Sequence, residues 1–246
     1  MDKHKYGQMK IAIIGYGKMG REIETAAANK GHDIILKVDM DNIRDLNSDQ
    51  FKKADVAMEF TTPGTAIDNI KACFDANVPV VCGTTGWAER IAEIEQLCLE
   101  KKQTFFYASN FSIGVNILFK LNRWLAEVMN KFPEYEVNLS EIHHIHKKDA
   151  PSGTAITLAE DILQRLDRKT SWKNEATENP EILPVISERQ GEVPGTHIIT
   201  CKSTFDMLEV SHQAFNRSVF ASGAVMAAEF INGKTGVYKM DDLLDI

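Results

Sequence analysis

No apolar run in this sequence approaches the roughly 20 residues that a bilayer-spanning helix needs. Nor does a charged-then-apolar leader open it, so neither a membrane segment nor an export signal is expected. Positive charge is short as well: 28 lysines and arginines stand against 35 aspartates and glutamates, a formal net charge of −7. With no basic stripe to offset that balance, a nucleic-acid surface is not expected. Four cysteines occur, Cys73, Cys82, Cys98 and Cys201, and no two form a CxxC pair. They read as buried thiols in a reducing cytoplasm. Repeats and low-complexity tracts are missing too. What remains is the composition of an ordinary globular chain, whose 246 residues suit one large domain or two small ones. Met1 to Gln8 is polar and reads as a disordered lead-in, with ordered chain from Met9.

What is present begins with Lys10-Ile-Ala-Ile-Ile, a short apolar strand followed at once by Gly15-Tyr16-Gly17-Lys18-Met19-Gly20. This is a GxGxxG between a strand and a helix, and its three glycines serve in turn a tight turn, close approach to a pyrophosphate, and close helix-on-strand packing. The next strand, Asp33 to Asp39, ends in an acid about twenty residues on, where a ribose would be recognised. An acid ending a strand is often only a turn former; behind a glycine loop, a ribose contact for Asp39 is the stronger reading. Met40 follows it, leaving Lys18 as the nearby cation that could meet a 2′-phosphate. The βα rhythm continues through a strand at Asp55 to Phe60 and a helix from Ile67 to Ala76. A strand at Val78 to Cys82, a helix from Ala88 to Lys101 and a strand at Thr104 to Ala108 follow. Such alternation gives a parallel sheet with ligands at its carboxyl edge. Beyond Ser112 the rhythm changes. Ile113 to Met129 is a long amphipathic helix whose stripe of Ile117, Leu118, Leu121, Trp124, Leu125 and Val128 reads as core. Arg168 to Asn179 reads as a polar surface loop. Strands at Ile182–Arg189, Thr196–Cys201 and Met207–Gln213 without helices between them point to a separate, mixed or antiparallel sheet. Val219 to Ile231 is an alanine-rich helix.

The densest chemistry lies between these halves, in Glu141-Ile-His-His-Ile-His-Lys-Lys-Asp-Ala-Pro-Ser-Gly-Thr-Ala155. Tyr135 to Ser140 before it alternates as a strand. After it a helix runs to about Asp167, its start marked by Asp149, Pro151 and Ser152. A strand end can aim a proton donor and a helix N-terminus can hold an anion, which together point to an enzyme acting on a carboxylate-bearing small molecule. If the strand stays extended through His143, then Glu141 and His143 share a face and His144 points away. A lone histidine near a turn is usually just solvated, and a Lys-Lys pair is usually an exposed face. Zinc held by His143, His144 and His146 is the weaker alternative, because structural zinc sites close with further ligands and Lys147 and Lys148 add positive charge. No metal is expected. His197 and His212 lie in strands, where a histidine is more often packed than catalytic, and both are left out of the site.

The stretch resembles the signature of the dihydrodipicolinate reductase (4-hydroxy-tetrahydrodipicolinate reductase) family: Glu, one residue, His-His, two residues, Lys, one residue, then Asp-Ala-Pro-Ser-Gly-Thr-Ala. The segments Gly191 to His197 and His212 to Arg217 also resemble the family, so the likeness covers nearly everything after Met9. The resemblance implies an α/β fold. A Rossmann-type parallel-sheet dinucleotide-binding domain would comprise residues 1–111 and 216–246, discontinuous because the last helix returns to it. Residues 112–215 would form an α+β substrate-binding and oligomerisation domain with a mixed sheet, assembling as a homotetramer in the cytoplasm. It implies NAD(P)H-dependent reduction of a dicarboxylate to tetrahydrodipicolinate in lysine and diaminopimelate biosynthesis. His143 becomes the general acid, His144 a substrate contact, and Lys147 a cationic partner and alternative proton donor. Ser152, Gly153 and Thr154 would hold a carboxylate at the helix N-terminus. Gly83, Thr84, Thr85, Ala108, Ser109, Asn110 and Phe111 would contact the nicotinamide half of NADH or NADPH. The family often has an arginine after the strand-end acid, and Met40 stands there instead. Two other readings stay open: a dinucleotide-binding regulator, which would have no use for the His-His, Lys and Ser-Gly-Thr set, and another two-domain dehydrogenase of aspartate or homoserine type.

Overall fold

In the computed structural model residues 7–245 are described, so the polar lead-in lies outside them except for Gly7 and Gln8. The chain runs through β1 (Lys10–Ile14), α1 (Lys18–Asn29), β2 (Asp33–Val38), β3 (Val56–Glu59), α2 (Pro63–Asp75), β4 (Val80–Cys82), α3 (Ile91–Glu100) and β5 (Thr104–Tyr107). Next come α4 (Ile113–Met129), β6 (Glu136–His143), α5 (Gly153–Leu163), β7 (Ser171–Lys173), β8 (Ile182–Arg189), β9 (Gly195–Lys202) and β10 (Met207–Ala214). Then follow α6 (Ser218–Ile231), β11 (Gly236–Tyr238) and α7 (Met240–Leu244). Two compact units result, one built from residues up to Ser112 together with those from Ser218 onward, the other from Ile113–Arg217.

The first unit carries a six-stranded sheet in the order β2-β1-β3-β4-β5-β11, and every pairing in it is parallel. Its central strands β1, β3 and β4 are short apolar runs buried along nearly their whole length, as strands covered on both faces require, whereas the edge strands β2 and β11 are only partly buried. The order reverses between β1 and β3, so the crevice at their carboxyl ends is a topological switch point. After β2 the chain does not add another strand; it folds into 3-10 turns at Met40–Asn47 and Phe51–Lys53 and returns on the far side of β1. α2 starts at Pro63, four residues before the expected Ile67, because a proline's fixed φ suits the first helical position. α6 packs on α1 and on the sheet. Gly223 of α6 takes the Phe111 carbonyl where a Cβ would collide with it. β11 lies in a stretch that local pattern leaves unassigned, and it extends the sheet beside β5.

The second unit carries a mixed sheet, β10-β9-β6-β8-β7, in which β6 pairs antiparallel with β9 and parallel with β8. Its core joins Val137 and Leu139 of β6 to Leu118 and Leu125 of α4, Leu158 and Ile162 of α5, and Val185 and Ile199 of the neighbouring strands. Three expectations are corrected here. The α4 stripe is only partly core: Leu118 and Leu125 are buried, but Ile117, Leu121 and Trp124 are exposed, Trp124 by 62%. Apolar periodicity identifies a helix, yet the single sheet covers only the face bearing Val115, Leu118, Asn122, Leu125 and Met129. Residues 168–179 are not simply a surface loop, since Ser171–Lys173 pairs with β8. Arg168 donates to the carbonyls of Met129 and Tyr135, and the buried Lys169 ammonium meets Glu136 and the Ile182 carbonyl. Finally, α5 ends at Leu163 and not near Asp167. No helix among the described residues is long and apolar enough to cross a membrane.

Candidate active site

All strands of the first sheet run the same way, so the loops after β1, β2, β3, β4 and β5 share its carboxyl edge. Gly15 has φ of +92°, and a Cβ there would collide with the Phe60 carbonyl at the end of β3. Gly20 lies against the Gly15 carbonyl and Ile13, which brings α1 close to β1. Gly17 caps α1, and nothing of the protein lies within 4 Å of where its Cβ would be. A turn, a packed glycine and an open one facing a helix N-terminus fit a pyrophosphate.

The other expected cofactor residues divide by environment. Asp39 is the N-cap of the 3-10 turn, accepting from Met40 N–H at 2.9 Å while its own N–H donates to Asn42 at 2.7 Å. The acid is thus a cap as well as the strand-end carboxylate. Lys18 is exposed, and Lys18 is not the sole cation nearby: Lys37 Nζ lies 4.5 Å from the Tyr16 ring centroid and Arg21 Cζ 5.4 Å. The sequence signal was there, since Lys37 and Asp39 alternate onto one face of an extended chain. Lys37 pairs with Glu24 at 2.6 Å, and the Tyr16 hydroxyl also contacts Glu24. Lys37 and Tyr16 hydrogen-bond Glu24 and hold its carboxyl below the usual range. Thr84 is buried and its hydroxyl accepts from Thr61 N–H at 2.8 Å, tying the loops after β3 and β4. Thr85 and Ser109 are exposed. The Phe111 ring is packed between Phe60 and Phe106, at 5.6 and 5.9 Å between centroids, and so belongs to the core. All four cysteines are free and buried, and burial raises the Cys98 and Cys201 thiols to about 11.

In the second unit β6 remains extended through His143, and Val137, Leu139, Glu141 and His143 lie on its buried face. The apolar row of the core therefore ends in a buried carboxylate and an imidazole. Strand register sets Glu141 beside Ser187 of β8 and His197 of β9, and His143 beside Arg189. Glu141 Oε1 accepts from Ser187 Oγ at 2.8 Å and from Ser152 N–H at 3.0 Å, with Arg189 Nη1 at 3.7 Å. Glu141 Oε2 faces His143 Nδ1 at 3.4 Å and His197 Nε2 at 3.7 Å. Burial would raise the Glu141 pKa, but hydrogen bonds from Ser152 and Ser187 outweigh it and hold the carboxyl below its ordinary range. Burial lowers His143, against the opposing pull of Glu141, and Lys147 and Arg189 lower it further. His197 is pushed down to about 4 by burial and by the neighbouring His143.

Ser152 caps α5, its Oγ accepting from Ala155 N–H at 3.2 Å and lying 3.2 Å from His197 Nε2. The Ser152 N–H is given to Glu141, so this residue is turned inward, while space is open around the Cα of Gly153. Lys147 Nζ pairs with Asp149 at 2.8 Å, and the Lys147 N–H closes the turn onto the His144 carbonyl at 3.1 Å. His144 follows the end of β6 and its ring lies 6.0 Å from that of His146, which pairs with Glu192. Of the three histidines weighed as zinc ligands, His143 belongs to the set that converges and His144 and His146 do not. Among the described residues, the set whose ligand-type atoms fall within 4.8 Å of one another is Glu141, His143 and His197.

The profile described as dihydrodipicolinate reductase, N-terminus, matches residues 9–111, and that described as dihydrodipicolinate reductase, C-terminus, matches residues 114–244. The chain belongs to the dihydrodipicolinate reductase family. A 4-hydroxy-tetrahydrodipicolinate reductase of Christiangramia forsetii is 44% identical, over 96% of this chain and 98% of its own length. The enzyme of that name from Methanoculleus marisnigri is 39% identical over 79% of this chain and 77% of its own. The solved dipicolinate-bound dihydrodipicolinate reductase of Paenisporosarcina sp. TG-14 shares the fold, with a TM-score of 0.73 at 24% identity over 94% of this chain and 97% of that one. Within this member of the family, sequence reasoning missed Ser187 and Arg189 and set His197 aside. Each reaches Glu141 or His143 only through strand register, which no local pattern discloses.

Proposed function

We propose that His143 is the general acid and Lys147 the cationic substrate contact in this chain's reaction. As a family member it is an NAD(P)H-dependent oxidoreductase, reducing 4-hydroxy-tetrahydrodipicolinate to tetrahydrodipicolinate in lysine and diaminopimelate biosynthesis. A reduced nicotinamide, when bound, supplies the hydride and leaves the proton to the protein or water. The observation that carries our reading is the continuity of one buried cluster: His143 faces Glu141, and Glu141 is fastened to the N-terminus of α5. An imidazole able to give a proton and a helix end able to hold a carboxylate are thereby fixed to one side chain. Gly153 and Thr154 would meet the substrate carboxylate, with His144 a further contact. Ser152, its own N–H engaged, shapes that turn. The dipicolinate held by the Paenisporosarcina protein supports a dicarboxylate here.

Gly15, Tyr16, Gly17, Lys18, Met19 and Gly20 would cradle the pyrophosphate, and Asp39 the ribose. Gly83, Thr84, Thr85 and the backbone of Ala108 to Phe111 would border the nicotinamide half. NADH should serve at least as well as NADPH, because Asp39 repels a 2′-phosphate, Met40 offers no grip, and Glu24 already offsets Lys37. Steady-state kcat/KM with each cofactor decides this, using freshly generated substrate. A strong preference for NADPH would contradict it, and Met40→Arg should move the ratio toward NADPH.

Assembly as a homotetramer through the second sheet is part of the same proposal. β10 lies at an edge of that sheet, and Phe205, Met207 and Leu208 stand exposed on or beside it. Light scattering should give four times the mass of one chain. Met207→Glu with Leu208→Glu should lower that mass, and a wild-type monomer would overturn the assignment.

A further inference from the structure

The buried cluster around Glu141 contains an asymmetry that a general acid needs. The two nitrogens of His143 lie in different surroundings. Nδ1 faces the Glu141 carboxylate at 3.4 Å, and among the described residues neither this nitrogen nor Glu141 Oε2 has a hydrogen-bond partner. Nε2 faces Gly195, where a Cβ would stand 3.0 Å away. Gly195 thus keeps a Cβ off Nε2. Glu141 is itself fixed, because its other oxygen accepts from Ser152 N–H and Ser187 Oγ. His197 Nε2 is the other group near Oε2, at 3.7 Å, but it has the Ser152 hydroxyl at 3.2 Å. His143 is the closer claimant.

We propose that Glu141 is the positioning residue of this reductase: its Oε2 holds the Nδ1–H of His143, so that Nε2 carries and delivers the proton, while Gly195 keeps Nε2 open to the substrate. The inference rests on His143 being the proton donor. The contact of 3.4 Å is longer than an ordinary N–H···O bond and would tighten in the substrate complex, as catalytic hydrogen bonds often do. When the imidazolium gives up its Nε2 proton, the neutral ring is left with hydrogen on Nδ1, bonded to the carboxylate. Glu141 stays ionised throughout and moves no proton. The same carboxylate is tied to the helix end assigned to the substrate carboxylate, so it sets the donor's place relative to that helix.

Glu141→Gln makes a sharp test. Ser152 N–H, Ser187 Oγ and Arg189 all face Oε1, so the glutamine oxygen must stay on that side and its NH2 must face His143. An NH2 there needs an acceptor, which forces hydrogen off Nδ1 and onto Nε2 in the neutral ring. The charged groups facing His143 are Glu141, Lys147, Asp149 and Arg189, with His197 beside it. Removing the one carboxylate that abuts Nδ1 disfavours the imidazolium, so the alkaline fall of kcat/KM should move to lower pH.

The experiment is 15N NMR of histidine-labelled wild-type and Glu141→Gln protein, with kcat, KM and the affinity for pyridine-2,6-dicarboxylate. In wild type the neutral His143 should carry its hydrogen on Nδ1; in Glu141→Gln it should carry it on Nε2. kcat should fall about 10²-fold, within the range general acid–base catalysis supplies, while dicarboxylate affinity stays within a few-fold. Gly195→Ala should lower kcat without changing the tautomer. A wild-type Nε2–H tautomer, or stoichiometric zinc in the purified protein at Glu141 and the two histidines, overturns the proposal without any variant having to fold. So does a Glu141→Gln protein that keeps both kcat and tautomer while His143→Ala is inactive. If His143→Ala itself keeps its kcat, the proton-donor reading fails first, and the tautomer measurement still reports on Glu141 separately.

Discussion

Replacing His143 by alanine lowers kcat by about 10²–10⁴-fold, the span that general acid–base catalysis ordinarily contributes. The expectation comes from where the ring sits: buried on the β6 face next to Glu141, with Lys147 and Arg189 acting on its charge. Only the protonated ring can act as acid, so wild-type kcat/KM falls as pH rises through the His143 pKa. Burial places that pKa below the ordinary imidazole value in the free protein. A dianionic substrate adds negative charge and draws it upward in the complex, so the limb in kcat lies at higher pH than the limb in kcat/KM. His143→Ala removes this limb as well as the rate. Lys147→Ala acts differently, raising KM and lowering kcat together, because it removes a charge that orients the substrate. NADH affinity, read by fluorescence titration, stays unchanged in both. Near-normal kcat in His143→Ala with none in Lys147→Ala would transfer the acid role to Lys147.

Gly15→Ala should be strongly damaging to both stability and cofactor binding in the first unit. The added Cβ meets the Phe60 carbonyl, a backbone atom of β3 that cannot rotate away, and the residue must also hold φ of +92°. A side chain in that backbone region is strained, and together with the displaced strand end the cost should reach about 2–4 kcal/mol. Because the turn also presents the helix N-terminus, NADH binding should weaken by about 10²-fold, equivalent to about 2.7 kcal/mol. Thermal unfolding and NADH titration measure the two effects. An unchanged melting temperature and NADH affinity would mean that the loop yields freely and that the glycine is not required there. Gly17→Ala is the control for protein packing, since nothing of the chain lies within 4 Å of its Cβ position. Its stability should be close to wild type.

The first sheet was legible because its signals are local. A run of isoleucines, a glycine loop and a helix recur within a few residues, and parallel strands bury both faces. The strand at β6 and the capping role of Ser152 were legible for the same reason, as alternation and a helix-start residue. Three features were not. β11 is a short segment whose pairing with β5 is fixed by the return of α6, not by its own residues. The exposed half of the α4 stripe looked like core because an apolar stripe does not say how much of it a neighbour covers. The Glu141 cluster is the most instructive case. Ser187, Arg189 and His197 are spread over two later strands, and only the register of β6 with β8 and β9 brings them to Glu141 and His143. A histidine in a strand is most often a packed one, and His197 is both packed and part of the cluster.

The measurement that tests the account most directly is single-turnover oxidation of bound NADH on adding freshly generated 4-hydroxy-tetrahydrodipicolinate, with wild-type and His143→Ala protein side by side. The account predicts one NADH consumed per substrate reduced in wild type. It also predicts the same NADH occupancy but a chemical step slowed about 10²–10⁴-fold in the variant. An equal chemical step in the two proteins, with substrate and NADH both bound, would contradict it.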